Sequence, residues 1–521
     1  MEHWSIRKPA VQSRGGVVVS QHARAAEVGA DVLARGGNAI DAAVASGFAL
    51  GAVEPWMSGI GGCGFMTVYL AREKKCYSVE FGVRASELLR PEDYPLSRGF
   101  DSDLFAWPGV LDNRNVLGPY SVAVPGYVAG VAQALERFGS WQWADVLAPA
   151  IELAGEGFTA DWYSSLKIAS SAKDLARFES SRSVFLPDGH VPMGQWAAAP
   201  PTVRIHGLAD TLQQLSDQGP AGFYRGELSK RILDDCQSVG IKITSDDLAS
   251  YEAVTHELEA APFRDRQVFA PSGLCAGPTL IHALAHLEAV TDAGPVSPAG
   301  DYYTAIGQSL ERSYAHRLAR MGHSPDGKAS ASTTHLNVVD RHGNVVALTQ
   351  TLLSIFGSKL MLPHTGVLMN NGIMWFDPEP GRPNSLMPNQ QPLSNMCPAI
   401  TVSPSGSVAA IGASGGRRIV SSVMQLISFM TDFGMDPESA MHQPRIDVSG
   451  SGQLLMDAAL EENIQAALRD SFQDVSVAPH QVFPSMFSCP SIALWDSERQ
   501  ASVGSAFVTS PAAAAVAERA R

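Results

Sequence analysis

Apolar residues recur at helical spacing through residues 25–53 (AAEVGADVLARGGNAIDAAVASGFALGAV), and Gly36-Gly37 divide the run into two predicted helices. Alanines on both helices allow close packing. From residue 59 the pattern turns glycine-rich and then β-like, with FMTVYLA and CYSVEF as two short strands. Helical spacing returns at 130–137, 143–155, 279–288 and 304–321. Residues 323–332 (HSPDGKASAS) are small, polar and interrupted by proline, and read as an exposed loop. The pattern then changes abruptly. Residues 333–340 (TTHLNVVD) and 345–352 (VVALTQTL), joined by Arg341-His342-Gly343-Asn344, have the form of a hairpin. A second hairpin spans 399–412, and Gly415-Gly416 lead into a strongly helical stretch, RRIVSSVMQLISFM. The tail PAAAAVAERAR reads as helical or frayed.

The 521 residues are 45% hydrophobic and 17% charged, with 47 glycines and 33 prolines, which points to a compact, turn-rich fold with a large core. A net charge of −14 lacks the basic excess that nucleic acid or an anionic membrane surface would require. The opening MEHWSIRKPAVQSRGG has no apolar core of the secretory kind, so a cytoplasmic protein is expected. The uncharged stretch at 42–53 is too short to span a bilayer. Six cysteines are scattered without a CxxC pair, which favours buried free thiols and offers no metal site; no cofactor motif stands out either.

Three glycine patterns require weighing. GIGGCG (59–64) fits a dinucleotide fingerprint, but a strand follows it where that fold needs a helix. GHSPDGK (322–328) begins like a phosphate-binding loop, yet a helix precedes it and Ala329 stands where a magnesium-binding hydroxyl belongs. GASGG (412–416) fits a nucleophile elbow in the correct strand–turn–helix setting, with Ser414 attacking and Asp447 or Asp474 with His480 completing a triad. The hairpins before Ser414 oppose that reading, because such a fold needs alternating strands and helices there. The junction Ser332-Thr333 offers other chemistry. A threonine at a chain N-terminus carries an amine of pKa about 7.7–8.0 that can serve as base for its own hydroxyl. That requires cleavage before Thr333; on pattern alone, Thr333-Thr334 simply begin a strand.

An ordered series of motifs changes this balance. GGNAIDAAVA (36–45), EPWMSGIGGCGF (54–65), VPGYVAG (124–130), LAPAIELAGEGF (147–158), FYRGEL (223–228) and YAHR (314–317) are followed by TTHLNVVDRHGNVVALTQTL, FGS, GVLMNN, PLSNMCPAI and GASGGRRI. With these the chain resembles the γ-glutamyltransferase family of N-terminal-nucleophile hydrolases along nearly its whole length. The resemblance implies an α+β, four-layer αββα sandwich. It also implies a precursor that cuts itself before Thr333 into segments 1–332 and 333–521, which stay interleaved as one domain. Thr333 would be the nucleophile, assisted by Thr351 on the partner strand, with the backbone N–H groups of Gly415 and Gly416 as the oxyanion hole. Ser394 and Asn395 fall where the family binds the substrate's α-carboxylate.

The chain also departs from the family. The positions that hold the glutamyl amino group fall at Leu353, Gly372 and Trp375, whose side chains accept no hydrogen bond, although Trp375 offers an aromatic face to a cation. Gly82 replaces the expected arginine, and Arg84 is the nearest substitute. The stretch between Phe376 and Ser394 is short, which implies an open site. The expected activity is hydrolysis or transfer of γ-glutamyl or related carboxyacyl groups from small-molecule amides, without a cofactor. An acylase acting on glutaryl-, cephalosporin- or oxamate-like amides is the alternative. A Ser414 hydrolase and a non-catalytic, uncut family member stay open.

Overall fold

The buried run Val17-Val18-Val19 shows how the layers lie. Val18 joins an apolar cluster under helices, whereas Val17 and Val19 join a second cluster between two sheets. Apolar side chains on both faces mark a strand covered on both sides. The computed structural model describes residues 6–100, 107–292, 297–321, 334–449 and 452–519.

Two seven-stranded sheets form the centre. Their strands in the first half of the chain are β1 (Val11–Ser13), β2 (Val17–Ser20), β3 (Cys63–Leu70), β4 (Lys75–Phe81), β5 (Val254–Glu257), β6 (Ala261–Phe263) and β7 (Arg266–Phe269). The second half adds β8 (Thr334–Val339), β9 (Val345–Thr351), β10 (Ala399–Val402), β11 (Val408–Ser414), β12 (Cys489–Asp496), β13 (Ala501–Ser505) and β14 (Ala514–Ala517). One sheet runs β14-β2-β8-β9-β3-β4-β5 and the other β1-β13-β12-β11-β10-β7-β6. Both are antiparallel throughout and both mix strands from the two halves of the chain.

The sheets meet through Val17, Val19, Val339, Val345 and Ala347 on one side and Ile400, Val408, Ala410 and Ala493 on the other. Gly412 on β11 lies against the ring of His335 on β8, where a Cβ would stand 2.1 Å from the imidazole. Helices α1 (Ala23–Ala34), α2 (Ala39–Val53), α3 (Tyr127–Phe138), α4 (Trp143–Glu156) and α5 (Trp162–Leu175) lie with the first sheet. Helices α6 (Gly277–Val290), α7 (Gly300–Arg320) and α8 (Arg418–Asp432) cover the second. The result is the expected αββα sandwich. Among the described residues no helix is long and apolar enough to cross a membrane.

The glycine break at 36–37 separates α1 from α2, and Gly36 takes φ +96°, which favours a residue without a Cβ. Asn38 then caps α2, accepting from the backbone of Ile40 and Asp41 while Asp41 accepts from the Asn38 N–H. The tail differs from the sequence reading: Ala514–Ala517 are strand β14, paired with β2, not a helix. Alanine's helical preference is small, and the otherwise unpaired edge of β2 outweighs it by supplying a ladder. Ala515 is also small enough to lie beside Gly504 on β13. Five cysteines are buried and free, and Cys489 is partly exposed.

Candidate active site

Thr351 closes β9, opposite Cys63 on β3, and Thr334 at the start of β8 pairs with Gln350. Ser332 and Thr333 lie outside the described residues, as do the loop 323–332 and the phosphate-loop-like stretch 322–328. Beyond Thr351 the chain turns sharply. The Leu353 N–H donates to Thr351 Oγ1 at 2.6 Å, and Leu353 takes φ +85°. That bond fixes the Thr351 hydroxyl at the mouth of the β8–β9 hairpin.

The glycine pair lies between β11 and α8, at the helix start where backbone N–H groups lack intrahelical partners. Gly415 has φ +131° and Gly416 φ +65°. A Cβ on Gly415 would stand 2.8 Å from Ser488 Cα. Backbone conformation and space both demand glycine there.

Ser394 and Asn395 are held from below by Arg317 of α7, which is fully buried. Its guanidinium donates to the carbonyls of Cys275 (3.0 Å) and Ser394 (2.7 Å), to Thr279 Oγ1 (2.9 Å) and to Asn395 Oδ1 (2.9 Å). Burial pushes the Arg317 pKa down to about 10, so it remains a cation near neutral pH. With Oδ1 taken by Arg317, the Asn395 amide nitrogen faces the other way. Met396 N–H donates to Ser394 Oγ at 3.1 Å. The sequence contained Arg317 within YAHR, but its amphipathic helix gave no sign that the arginine lies on the buried face; the Tyr314–Arg317 spacing, one helical turn, was the available signal.

Leu353, Trp375, Met396, Phe65, Cys63 and Trp107 form one apolar cluster beside these elements. Trp375 is fully buried, and its carbonyl accepts from Asn384 Nδ2 at 2.6 Å. Gly372 is a packing requirement: a Cβ there would come within 3 Å of Val83, Ala123 and Asn370 Oδ1. Gly82 faces Gln391 and Phe65 at ordinary contact distance. Arg84, the nearest substitute, is engaged by the turn at 247–250. Its guanidinium donates to the carbonyls of Asp247 (2.6 Å) and Ser250 (3.1 Å) and to Ser250 Oγ (2.9 Å), over the ring of Tyr251. It braces that turn because three acceptors converge there.

The Ser414 triad does not assemble among the described residues. Ser414 Oγ accepts from Gln21 Nε2, and Gln21 Oε1 accepts from Thr334 Oγ1 at 3.0 Å. His480 lies 3.9 Å from Asp457 and 3.4 Å from Arg445, and burial with the neighbouring Arg445 and His442 holds its pKa down at about 3. Asp447 accepts from Ser449, and Asp474 from Gln453. The elbow pattern arose because β11, a glycine turn and a helix share the same local geometry.

Glu54, at the end of α2, was not singled out from the sequence. It is buried, and its Oε2 lies 3.5 Å from the Thr334 hydroxyl. Burial raises its pKa from 4.5 to about 7, against the opposing pull of Lys167. A carboxyl raised in the fold stabilises it below pH 4.5, and that contribution is lost as pH climbs towards 7. The shift corresponds to about 3 kcal/mol. A Glu54→Gln variant should therefore gain thermal stability relative to the parent on going from pH 5 to pH 8, read as the difference in Tm at each pH; an unchanged difference would contradict the buried-carboxyl assignment.

Paired antiparallel sheets between helical layers, with a glycine turn beside a threonine-bearing strand end, define the class as an N-terminal-nucleophile-hydrolase sandwich. The model of the family described as Gamma-glutamyltranspeptidase matches residues 25–329 and 318–486, and the chain belongs to that family. It is accordingly an enzyme of amide hydrolysis and acyl transfer. The chain is 28% identical over 519 residues to the glutathione hydrolase proenzyme of Bacillus subtilis (strain 168), covering 89% of this chain and 86% of the relative. It is 32% identical over 503 residues to the Acylase ACY 1 proenzyme of Pseudomonas sp. (strain V22), covering 89% and 87%. Among solved structures, cephalosporin acylase from Bacillus halodurans shares the fold at TM-score 0.86 and 23% identity, covering 100% of this chain and 99% of that one. Helicobacter pylori gamma-glutamyltranspeptidase aligns at TM-score 0.51 and 29% identity, covering 58% and 83%.

Proposed function

We propose that the chain is a precursor cut before Thr333 and that Thr333 is the nucleophile of the mature enzyme. The observation that carries this reading is the β8–β9 register. Thr334 faces Gln350, which puts the Thr351 end of β9 beside the start of β8, at the point in the chain where the cut would create a new N-terminus. In the precursor the Thr333 hydroxyl attacks the Ser332 carbonyl carbon. The peptide C–N bond breaks, the nitrogen takes the proton and becomes the free Thr333 amine, and water hydrolyses the resulting ester, leaving a carboxylate on Ser332 and restoring the Thr333 hydroxyl. In turnover that amine accepts the hydroxyl proton as the oxygen attacks the substrate carbonyl, and passes it to the departing amine. N–H groups of Gly415 and Gly416 stabilise the oxyanion. Water or an amine then resolves the acyl-enzyme.

The substrate is a small carboxyacyl amide, γ-glutamyl or related. The apolar wall of Leu353 and Trp375 favours the acylase alternative, because an ammonium would meet no acceptor on these side chains. Ser394 and Asn395, set by Arg317, are the candidate contacts for a substrate carboxylate. The test is intact mass under denaturing conditions, with and without brief exposure to γ-glutamyl- or glutaryl-p-nitroanilide. Fragments 1–332 and 333–521, with one acyl group added to the latter, are expected. A single uncut chain without an adduct would overturn the reading.

A further inference from the structure

Away from the candidate active site, histidines of α6 stand over two buried serines of α7, Ser309 and Ser313. His282 Nδ1 lies 2.8 Å from Ser313 Oγ, and His286 Nδ1 lies 2.9 Å from Ser309 Oγ. The direction of both bonds follows from the other partners. Ser313 gives its single hydroxyl hydrogen to the Ser309 carbonyl at 2.7 Å, so His282 Nδ1 is the donor to Ser313. The Arg312 guanidinium can only donate, and it lies 3.3 Å from His286 Nε2, so that nitrogen accepts and the hydrogen of His286 is on Nδ1. Burial lowers the pKa of His282, and His316, Arg312 and His286 push it the same way; burial and Arg312 lower that of His286. Both rings are therefore neutral near pH 7. His282 is left with an unprotonated Nε2 on the side away from Ser313, without a hydrogen-bond partner among the described residues.

A second imidazole lies beside that lone pair. His316 of α7 is exposed and stacks on His282, with ring centroids 5.0 Å apart and planes 10° from parallel. Its ring makes no hydrogen bond among the described residues. We infer that His282 and His316 bind one divalent transition-metal ion of the Zn2+ or Ni2+ kind, which ties α6 to α7 and keeps water in its remaining positions. A histidine that ligates a metal donates its other ring N–H to a fixed acceptor, which is what Ser313 provides for His282. Two nitrogens on a tetrahedral ion stand about 3.3 Å apart when each metal–nitrogen bond is about 2.0–2.1 Å, a separation that stacked rings reach by a small tilt. Among the described residues no group of three or more His, Cys, Asp and Glu side chains is placed to hold an ion, so the site has two protein ligands. Imidazole ligands without a carboxylate select such ions over Mg2+. The sequence pointed to no metal site because only the packing of α6 on α7 brings residues 282 and 316 together. The inference is independent of the acyl-enzyme reading.

The test is calorimetric titration of the full chain with Zn2+ in a buffer that does not bind metal, near neutral pH. One ion should bind through this pair. His316→Ala removes a ligand from an exposed position, and His282→Ala removes the other; each should weaken that binding by at least about 10-fold. Ser313→Ala keeps both ligands and removes the acceptor that orients His282, and should weaken it by about 10-fold as well. Mg2+ in place of Zn2+ should give no binding that depends on either histidine. Thermal unfolding without metal shows that each variant is folded, so a lost ion is not a lost fold. A parent that takes up no Zn2+, or parental affinity in any of the three variants, would overturn the inference.

Discussion

A Thr333→Ala chain should emerge from denaturing mass spectrometry as one uncut species, and its turnover of any amide the parent accepts should fall by at least about 10⁴-fold. The two losses share one cause. In the proposed mechanism the same hydroxyl performs the acyl shift that frees the amine and the attack that the freed amine then assists, so no other group would inherit either step. Thr333→Ser keeps the hydroxyl and, once cut, the amine. It should process slowly and retain part of the activity. A Thr333→Ala chain that is cut like the parent, or a parent that is never cut, would remove Thr333 from the mechanism.

Gly415→Ala carries the second large expectation, a fall in kcat of about 10²–10³-fold. A methyl group there meets Ser488 Cα at 2.8 Å, and φ +131° is a conformation that side chains rarely adopt. The turn must therefore shift, and the backbone N–H groups shift with it. Intact mass reports whether the variant is still cut, and thermal unfolding whether it is folded. A folded, cut variant with parental kcat would show that this turn does not face the developing oxyanion.

What the sequence disclosed depended on the range of the interaction. The α1–α2 pair, the β8–β9 and β10–β11 hairpins and the glycine turn before α8 are all set by residues close together in the chain, and periodicity or turn chemistry reveals each of them. Strand β14 is paired with β2 across almost the whole chain, so its alanines read locally as helix. The same holds for side chains at the site. Arg84 was read as a replacement for a missing arginine, but acceptors from the turn at 247–250 engage it. Arg317 gains its role from loops at 275 and 394–395, and Glu54 becomes unusual only when Thr334 and its surroundings bury it. Trp375 was legible as a residue that accepts no hydrogen bond; that its buried indole N–H has no partner among the described residues was not.

The mixing of both halves of the chain in both sheets has a consequence for reversibility. Cleavage before Thr333 would leave β14 and β8 flanking β2, β9 beside β3, β10 beside β7 and β13 beside β1, so that five ladders would join two separate polypeptides. The precursor folds as a unimolecular process, but the cut protein could regain this arrangement only by a bimolecular encounter of two chains, neither of which holds a complete sheet. Its recovery from denaturant should therefore depend on concentration where that of Thr333→Ala does not, and its lifetime would be governed by the rate of first unfolding rather than by an equilibrium.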